Sequence, residues 1–132
     1  NIMAKIKTKD DVTFAISDFI NTAIISTEQA ERLTKTVLQI VNHPLLKTYY
    51  EANLKVYNER DIISKEGIIL RPDRIVFITE NDAIIIDYKT GFEDKKHVQQ
   101  LQSYQDVLHD MNIHIKKKIL IYINDVVLVK EV

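Results

Sequence analysis

The sequence predicts an α/β fold in which helices come first and a mixed β-sheet flanked by helices follows. Three observations predict it. Apolar residues recur at helical spacing through the first fifty positions, the period changes to that of strands from Leu54, and one amphipathic helix separates the third strand from the last two.

The segments DDVTFAISDFIN and STEQAERLTKTVLQIVNH are the first two helices, and Ser26 or Thr27 offers an N-cap to the second. HPLLKTYYEAN is expected to continue as a short helix after Pro44, a residue tolerated in a first turn. LKVYNERDIIS then reads as a first strand, GIILRPDRIVFIT as a second and AIIIDYK as a third, with turns at SKEG and TEND. A mostly antiparallel meander is expected. Pro72 cannot donate to a ladder, so RPDR is read as an edge or a bulge, a feature that re-aims a side chain, here Asp73. EDKKHVQQLQSYQDVLHDMN is helical by spacing, with Val98, Leu101, Tyr104, Val107, Leu108 and Met111 as its buried stripe. KKKILIYIN and DVVLVKEV are strands joined at Asn124-Asp125, the first parallel to the third strand through a right-handed helical crossover.

With 132 residues and 45% hydrophobic content the chain can bury one core, so a single domain over residues 1-132 is expected. The absence of cysteine excludes disulfides, thiol catalysis and cysteine-held zinc or iron-sulfur centres. No run of about eighteen apolar residues and no signal-like N-terminus is present, so a cytoplasmic protein without a membrane partner is expected. A net charge of −1 lacks the basic balance of many free-standing nucleic-acid binders. Lys95-Lys96-His97 and Lys116-Lys117-Lys118 are local basic groups, by default solvated surface. Lys95 and Lys96 rank higher for phosphate contact because they open the helix after the third strand. No G-x-x-x-x-G-K-[ST] loop is present, so the chain is not itself a motor.

The candidate chemistry centres on Asp73, Asp87 and Lys89. Side chains alternate across a strand, so Asp87 and Lys89 share a face while Tyr88 points to the other. Ala83 to Ile86 reads as a buried run, and a carboxylate at its end is costly to desolvate unless something compensates, as a divalent cation does. Each segment alone has a plainer reading: Asp73 pairs with Arg71 or Arg74, Asp87 with Lys89, and YKTG is a strand end entering a turn. Pro72-Asp73, a strand-turn-strand interval, then Asp87-x-Lys89 form a joint pattern suited to holding a metal beside a phosphate.

Read together, RPDRI and IIDYKTG resemble the PD-(D/E)XK nuclease superfamily in its RecB-like branch, which includes nuclease domains at the C-termini of UvrD-type repair helicases. Downstream, HVQQLQSYQDVL is similar to that branch's Q-L-x-x-Y helix motif through Gln100, Leu101 and Tyr104. The likeness runs from about Tyr49 to Val129, and more loosely over the helices before it, so it covers most of the chain. It implies a restriction-endonuclease-like core in αβββαββ order, with residues 1-50 as a helical part and 51-132 as a catalytic core. A C-terminal piece of a larger protein is expected. The resemblance further implies catalysis by Asp73, Asp87 and Lys89, with Glu59 as an additional acid; spacing alone reads Glu59 as a salt bridge to Arg60 or another basic neighbour. Gln100 and Tyr104 are implied to bind DNA or position the site. By position alone Tyr104 is a core aromatic with its hydroxyl at the rim, and Gln100 is surface. His97 shares their face but is read as solvated, and His43 as a junction residue capping carbonyls. The branch's metal-binding histidine is expected ahead of Asn1.

Mg²⁺ or Mn²⁺ prefers oxygen ligands and keeps several waters, and the expected set is Asp73, Asp87, Glu59 and the backbone carbonyl of Tyr88. Lys89 beside it would orient the attacking water or offset charge on the scissile phosphate. The expected function is a Mg²⁺-dependent deoxyribonuclease, the exonuclease domain of a helicase-nuclease in DNA repair and recombination, leaving 5′-phosphate ends. Its expected partners are DNA and a helicase motor in cis or in trans. The alternatives are a catalytically inactive DNA-binding or scaffolding module of a helicase and a structure-selective or restriction-type endonuclease; the Q-L-x-x-Y likeness favours the RecB-like branch over the last.

Overall fold

The computed structural model describes residues 2-23 and 25-132. Two units make up the chain, Asn1–Asn53 and Leu54–Val132.

The first unit holds helices α1 (Val12–Thr22) and α2 (Thr27–Val41) with 3-10 turns at Ile2–Lys5, Lys9–Asp11 and Lys47–Tyr50. Ser26, rather than Thr27, caps α2. Its Oγ accepts the Gln29 amide at 3.1 Å while Gln29 Oε1 accepts the Ser26 amide at 2.8 Å, a reciprocal box that satisfies two orphan donors. Val12, Ala15 and Ile16 of α1 and Val37, Ile40 and Val41 of α2 are buried at helical spacing. Two expectations are corrected here. Pro44 opens a turn and the helical part is only the 3-10 turn, because the Leu46 and Lys47 amides both fold back onto the His43 carbonyl at 2.9 Å. The His43 ring does not cap carbonyls; its Nδ1 accepts the Leu45 amide at 3.1 Å.

The second unit contains β1 (Lys55–Asn58), β2 (Ile62–Ile63), β3 (Ile69–Leu70), β4 (Arg74–Phe77), β5 (Asp82–Lys89), α3 (Lys95–Asp110), β6 (His114–Ile123) and β7 (Val127–Glu131). Its main sheet has the order β1-β4-β5-β6-β7, with β5 and β6 parallel and the other pairs antiparallel. The parallel pair β5 and β6 requires a crossover of a dozen or more residues, which the connection through α3 supplies. The meander from β1 through β4 to β5 is antiparallel, as the turn signals predict, and the TEND turn is closed by Ile78 N to Asp82 O at 2.8 Å.

The first two predicted strands are each broken. LKVYNERDIIS supplies β1 and β2, GIILRPDRIVFIT supplies β3 and β4, and β2 pairs with β3 in a separate hairpin around SKEG. Each break falls on four consecutive non-apolar residues, Asn58-Glu59-Arg60-Asp61 and Arg71-Pro72-Asp73-Arg74, and the apolar residues flanking each group read as one strand. Glu59 takes a left-handed backbone, with φ of 46°, and turns the chain out of the sheet. Pro72 accordingly occupies neither an edge strand nor a bulge. It lies between β3 and β4, where no ladder amide is needed.

Helix α3 covers one face of the sheet. Leu101, Tyr104 and Leu108 meet Ile75 and Phe77 of β4, Ala83 and Ile85 of β5, and Leu120 and Tyr122 of β6. The predicted stripe is wider than the observed one: Val98 and Met111 are exposed and Val107 is half-buried. Both ends of the seam open into clefts. Val98 borders one of about 220 Å³ with Tyr122 and Lys130, and Val107 and Met111 border one of about 240 Å³ with Ser64 and Glu66. A register shift opposite Ala83/Ile84 makes Lys116 an extra residue in β6. This bulge lets Leu120 and Tyr122, instead of Ile119 and Ile121, share the α3 face with Ile115. No helix among the described residues is long and apolar enough to cross a membrane.

Candidate active site

The hairpin excursion is closed at its base, and that closure aims Asp73. The Glu59 amide donates to the Asp73 carbonyl at 3.0 Å, and Arg71 Nε donates to the Glu59 carbonyl at 2.9 Å. Asp73 is thereby delivered immediately before β4, next to the C-terminal end of β5.

Two reciprocal bonds then lock the carboxylates. The Asp73 amide donates to Asp87 Oδ1 at 2.9 Å, and the Tyr88 amide donates to Asp73 Oδ2 at 2.9 Å. Each acid is oriented by the main chain beside the other. Asp73 Oδ1 and Asp87 Oδ2 are the oxygens that these amides leave open. Lys89 Nζ lies 3.3 Å from Asp87 Oδ2 and donates to Gln100 Oε1 at 2.5 Å, so the helix reaches the strand end through one amide side chain. The plainer reading of Asp73 does not hold. Arg71 lies 3.8 Å from Glu59 and 3.9 Å from Asp61, and the buried Arg74 extends from the opposite face of the sheet to Asn58 Oδ1 at 3.4 Å.

Charge repulsion is built into this arrangement. Burial, and then the neighbouring charge of Asp73, push the Asp87 carboxyl up to about 6. Burial likewise raises Asp73, against the opposing pull of the Tyr88 amide and the Lys89 ammonium. The Tyr104 hydroxyl is pushed up to about 12 by burial and by the charges of Asp87 and Asp73, so it remains a proton donor at the edge of the site.

Two adjacent, partly desolvated carboxylates that resist ionisation fit a hard divalent cation, which replaces their mutual repulsion with attraction. Mg²⁺ is commonly held by one or two carboxylates together with waters and substrate phosphate, and an all-oxygen donor set matches it. Glu59 stands apart from the pair. Its carboxylate is 3.8 Å from Arg71, and no group of three His, Cys, Asp or Glu residues gathers as a metal site among the described residues. Its charge nevertheless reaches Asp73, whose carboxyl it helps to raise.

Two contacts near the site carry no sequence signal of their own. His97 is half-buried, not solvated, with Nδ1 2.9 Å from the Tyr122 hydroxyl. Tyr122 is paired with Lys89 in the parallel ladder, which brings that histidine over the strand end. Asn124, at the β6-β7 turn, grips Gly91 across the sheet: Oδ1 accepts the Gly91 amide at 2.9 Å and Nδ2 donates to its carbonyl at 3.0 Å. The triple lysine is partly committed elsewhere, as Lys118 donates to Gln102 and Gln105 at 2.8 and 2.7 Å.

The family model of the PD-(D/E)XK nuclease superfamily matches residues 15–125. No curated protein matches the chain. A solved structure described as "Crystal structure of SSO0001" is 18% identical, with a TM-score of 0.41, and the alignment covers 91% of this chain and 74% of that one.

Proposed function

Because the chain belongs to the PD-(D/E)XK nuclease superfamily, we propose that it is a metal-dependent deoxyribonuclease of the RecB-like branch, acting as the exonuclease module of a helicase-nuclease in DNA repair or recombination. The observation that carries this reading is the crossed pair of amide-carboxylate bonds between Asp73 and Asp87, with Lys89 against the second acid. A scaffold that only docks on DNA gains nothing from two acids held in mutual repulsion. Contact between Lys89 and Gln100 supports the RecB-like assignment, since it ties the Q-L-x-x-Y helix to the proposed catalytic strand.

In this reading Asp73 and Asp87 hold the cation, the Tyr88 carbonyl adds a ligand, and Glu59 is a more distant acid that adjusts the charge on Asp73. A bound Mg²⁺ or Mn²⁺ supplies a water of lowered pKa and a Lewis acid for the phosphoryl oxygen. Lys89 orients the attacking water or offsets charge on the scissile phosphate, at a position Gln100 holds. Gln100 and Tyr104 bind DNA or position the site, Tyr104 with its hydroxyl protonated. Cleavage of DNA leaving 5′-phosphate ends is the expected outcome.

Calorimetric titration with Mn²⁺, combined with degradation of an end-labelled DNA, tests the proposal. One stoichiometric site and metal-dependent loss of the label are expected; a wild-type chain with no Mn²⁺ site overturns it.

A pH dependence follows from the raised acids. The native carboxyl at about 6 binds its proton more readily than the unfolded one, near 3.8, so in the metal-free chain this group favours folding more as pH falls from 7 toward 4. Protons compete with the cation for the same oxygens. Apparent Mn²⁺ affinity should therefore drop by about tenfold per unit below pH 6, measured by calorimetry across pH 5 to 8.

A further inference from the structure

Phe92 is 97% exposed, yet the loop that carries it is held in place. Gly91, with φ of +82°, is gripped on both its amide and its carbonyl by Asn124, and two residues beyond Phe92 the Asp94 side chain caps α3 by accepting the Lys96 amide at 2.9 Å. A large aromatic in water on a pinned loop has no packing role in the fold, and an aromatic face held out beside cations is suited to stacking on a nucleic-acid base. Its surroundings suit an anion. Glu93 is taken up by Lys130 and Asp94 by the helix cap, whereas the exposed Lys95 and Lys96 make no ion pair among the described residues.

Two residues separate Phe92 from Lys89, so their Cα atoms lie at most about 11 Å apart, which corresponds to roughly three phosphate steps of one DNA strand. Resting on the nuclease reading above, we propose that Phe92 stacks on an unpaired base of single-stranded DNA within about three nucleotides of the bond to be cut, while Lys95 and Lys96 take the adjoining phosphates. An aromatic face binds any base, so this contact holds and registers the strand without reading its sequence. Asn124 acts as a positioning residue: it fixes Gly91 and hence the direction in which the ring points.

The test is a titration, with Ca²⁺ in place of Mg²⁺ so that the strand stays uncut, of single-stranded oligonucleotides carrying 2-aminopurine at successive positions into the wild-type chain and the variants Phe92→Ala, Phe92→Leu and Phe92→Trp. Wild type and Phe92→Trp should quench the fluorophore at one or two adjacent positions. Phe92→Ala and Phe92→Leu should lose that quenching, with Kd raised between about five- and a hundredfold. Equal binding by all four chains, or no quenching at any position by a wild type that binds Mn²⁺, overturns the inference and leaves the nuclease reading standing. So does a wild-type dimer, seen by sedimentation, that Phe92→Ala dissolves, since the ring then serves a protein contact. A wild type lacking the Mn²⁺ site overturns the nuclease reading and the inference with it.

Discussion

Asp87→Asn is expected to reduce phosphodiester cleavage by about 10³-fold or more while leaving the fold intact. The loss removes one of two anionic oxygens that hold the cation, and the Lewis acid and the activated water supplied there are worth several kcal/mol of barrier, at about 1.4 kcal/mol per tenfold. The fold survives because asparagine keeps a carbonyl oxygen to accept the Asp73 amide, the bond that Oδ1 makes at 2.9 Å. It also removes a charge that the site resists: above pH 6 the variant should be at least as stable as the parent in the absence of metal. Lys89→Met separates binding from chemistry. It should keep the Mn²⁺ site and lose cleavage to a similar extent, because the ammonium near Asp87 acts on phosphate or water while both carboxylates remain. Calorimetry and a cleavage assay on both variants check this, and retained cleavage in either would remove that residue from the proposed mechanism.

The largest expected effect on stability comes from Leu101→Ala, at about 2–5 kcal/mol. Leu101 is wholly buried at the centre of the seam between α3 and the sheet, in one cluster with Ile75, Ile85 and Leu120. Truncation loses the transfer energy of the side chain and leaves a cavity that β4 and β5 cannot fill without shifting the strands that carry Asp73 and Asp87. Val98→Ala is the control. Val98 lies one turn earlier at an open cleft and is 41% exposed, so its truncation should cost well under 1 kcal/mol. Urea denaturation of the two variants gives the comparison, and similar losses would contradict the observed seam.

Much of the architecture is legible along the chain. The 3.6-residue period of α2 and α3, the unbroken apolar run of β5 and the turn at TEND are local signals, and burial in the structure follows them. The same locality explains the misreadings. Val56-Tyr57 and Ile62-Ile63 read as one strand across four polar residues although Glu59 turns the backbone away, because apolar content reports which residues want burial and not where the chain bends. The stripe on α3 is overestimated at Val98 and Met111 for a related reason: a helix wheel shows an apolar face but not how far the opposing sheet extends.

The candidate site divides in the same way. Asp87-x-Lys89 on one strand face, and an acid after Pro72, are available from residue order and strand geometry alone. Long-range contacts decide the rest. The reciprocal amide bonds join residues 14 and 15 apart, Gln100 reaches Lys89 across 11 positions, and Asn124 reaches Gly91 across 33. Nothing in local composition specifies these partners. By itself the sequence determined which segments are helix or strand and which ionisable groups lie at the end of a buried strand, since those depend on near neighbours and alternation. Only the tertiary structure decided that Asp73 meets Asp87, that Glu59 stands against Arg71, and that Phe92 is held out in water, because backbone breaks and a one-residue bulge in β6 set those meetings.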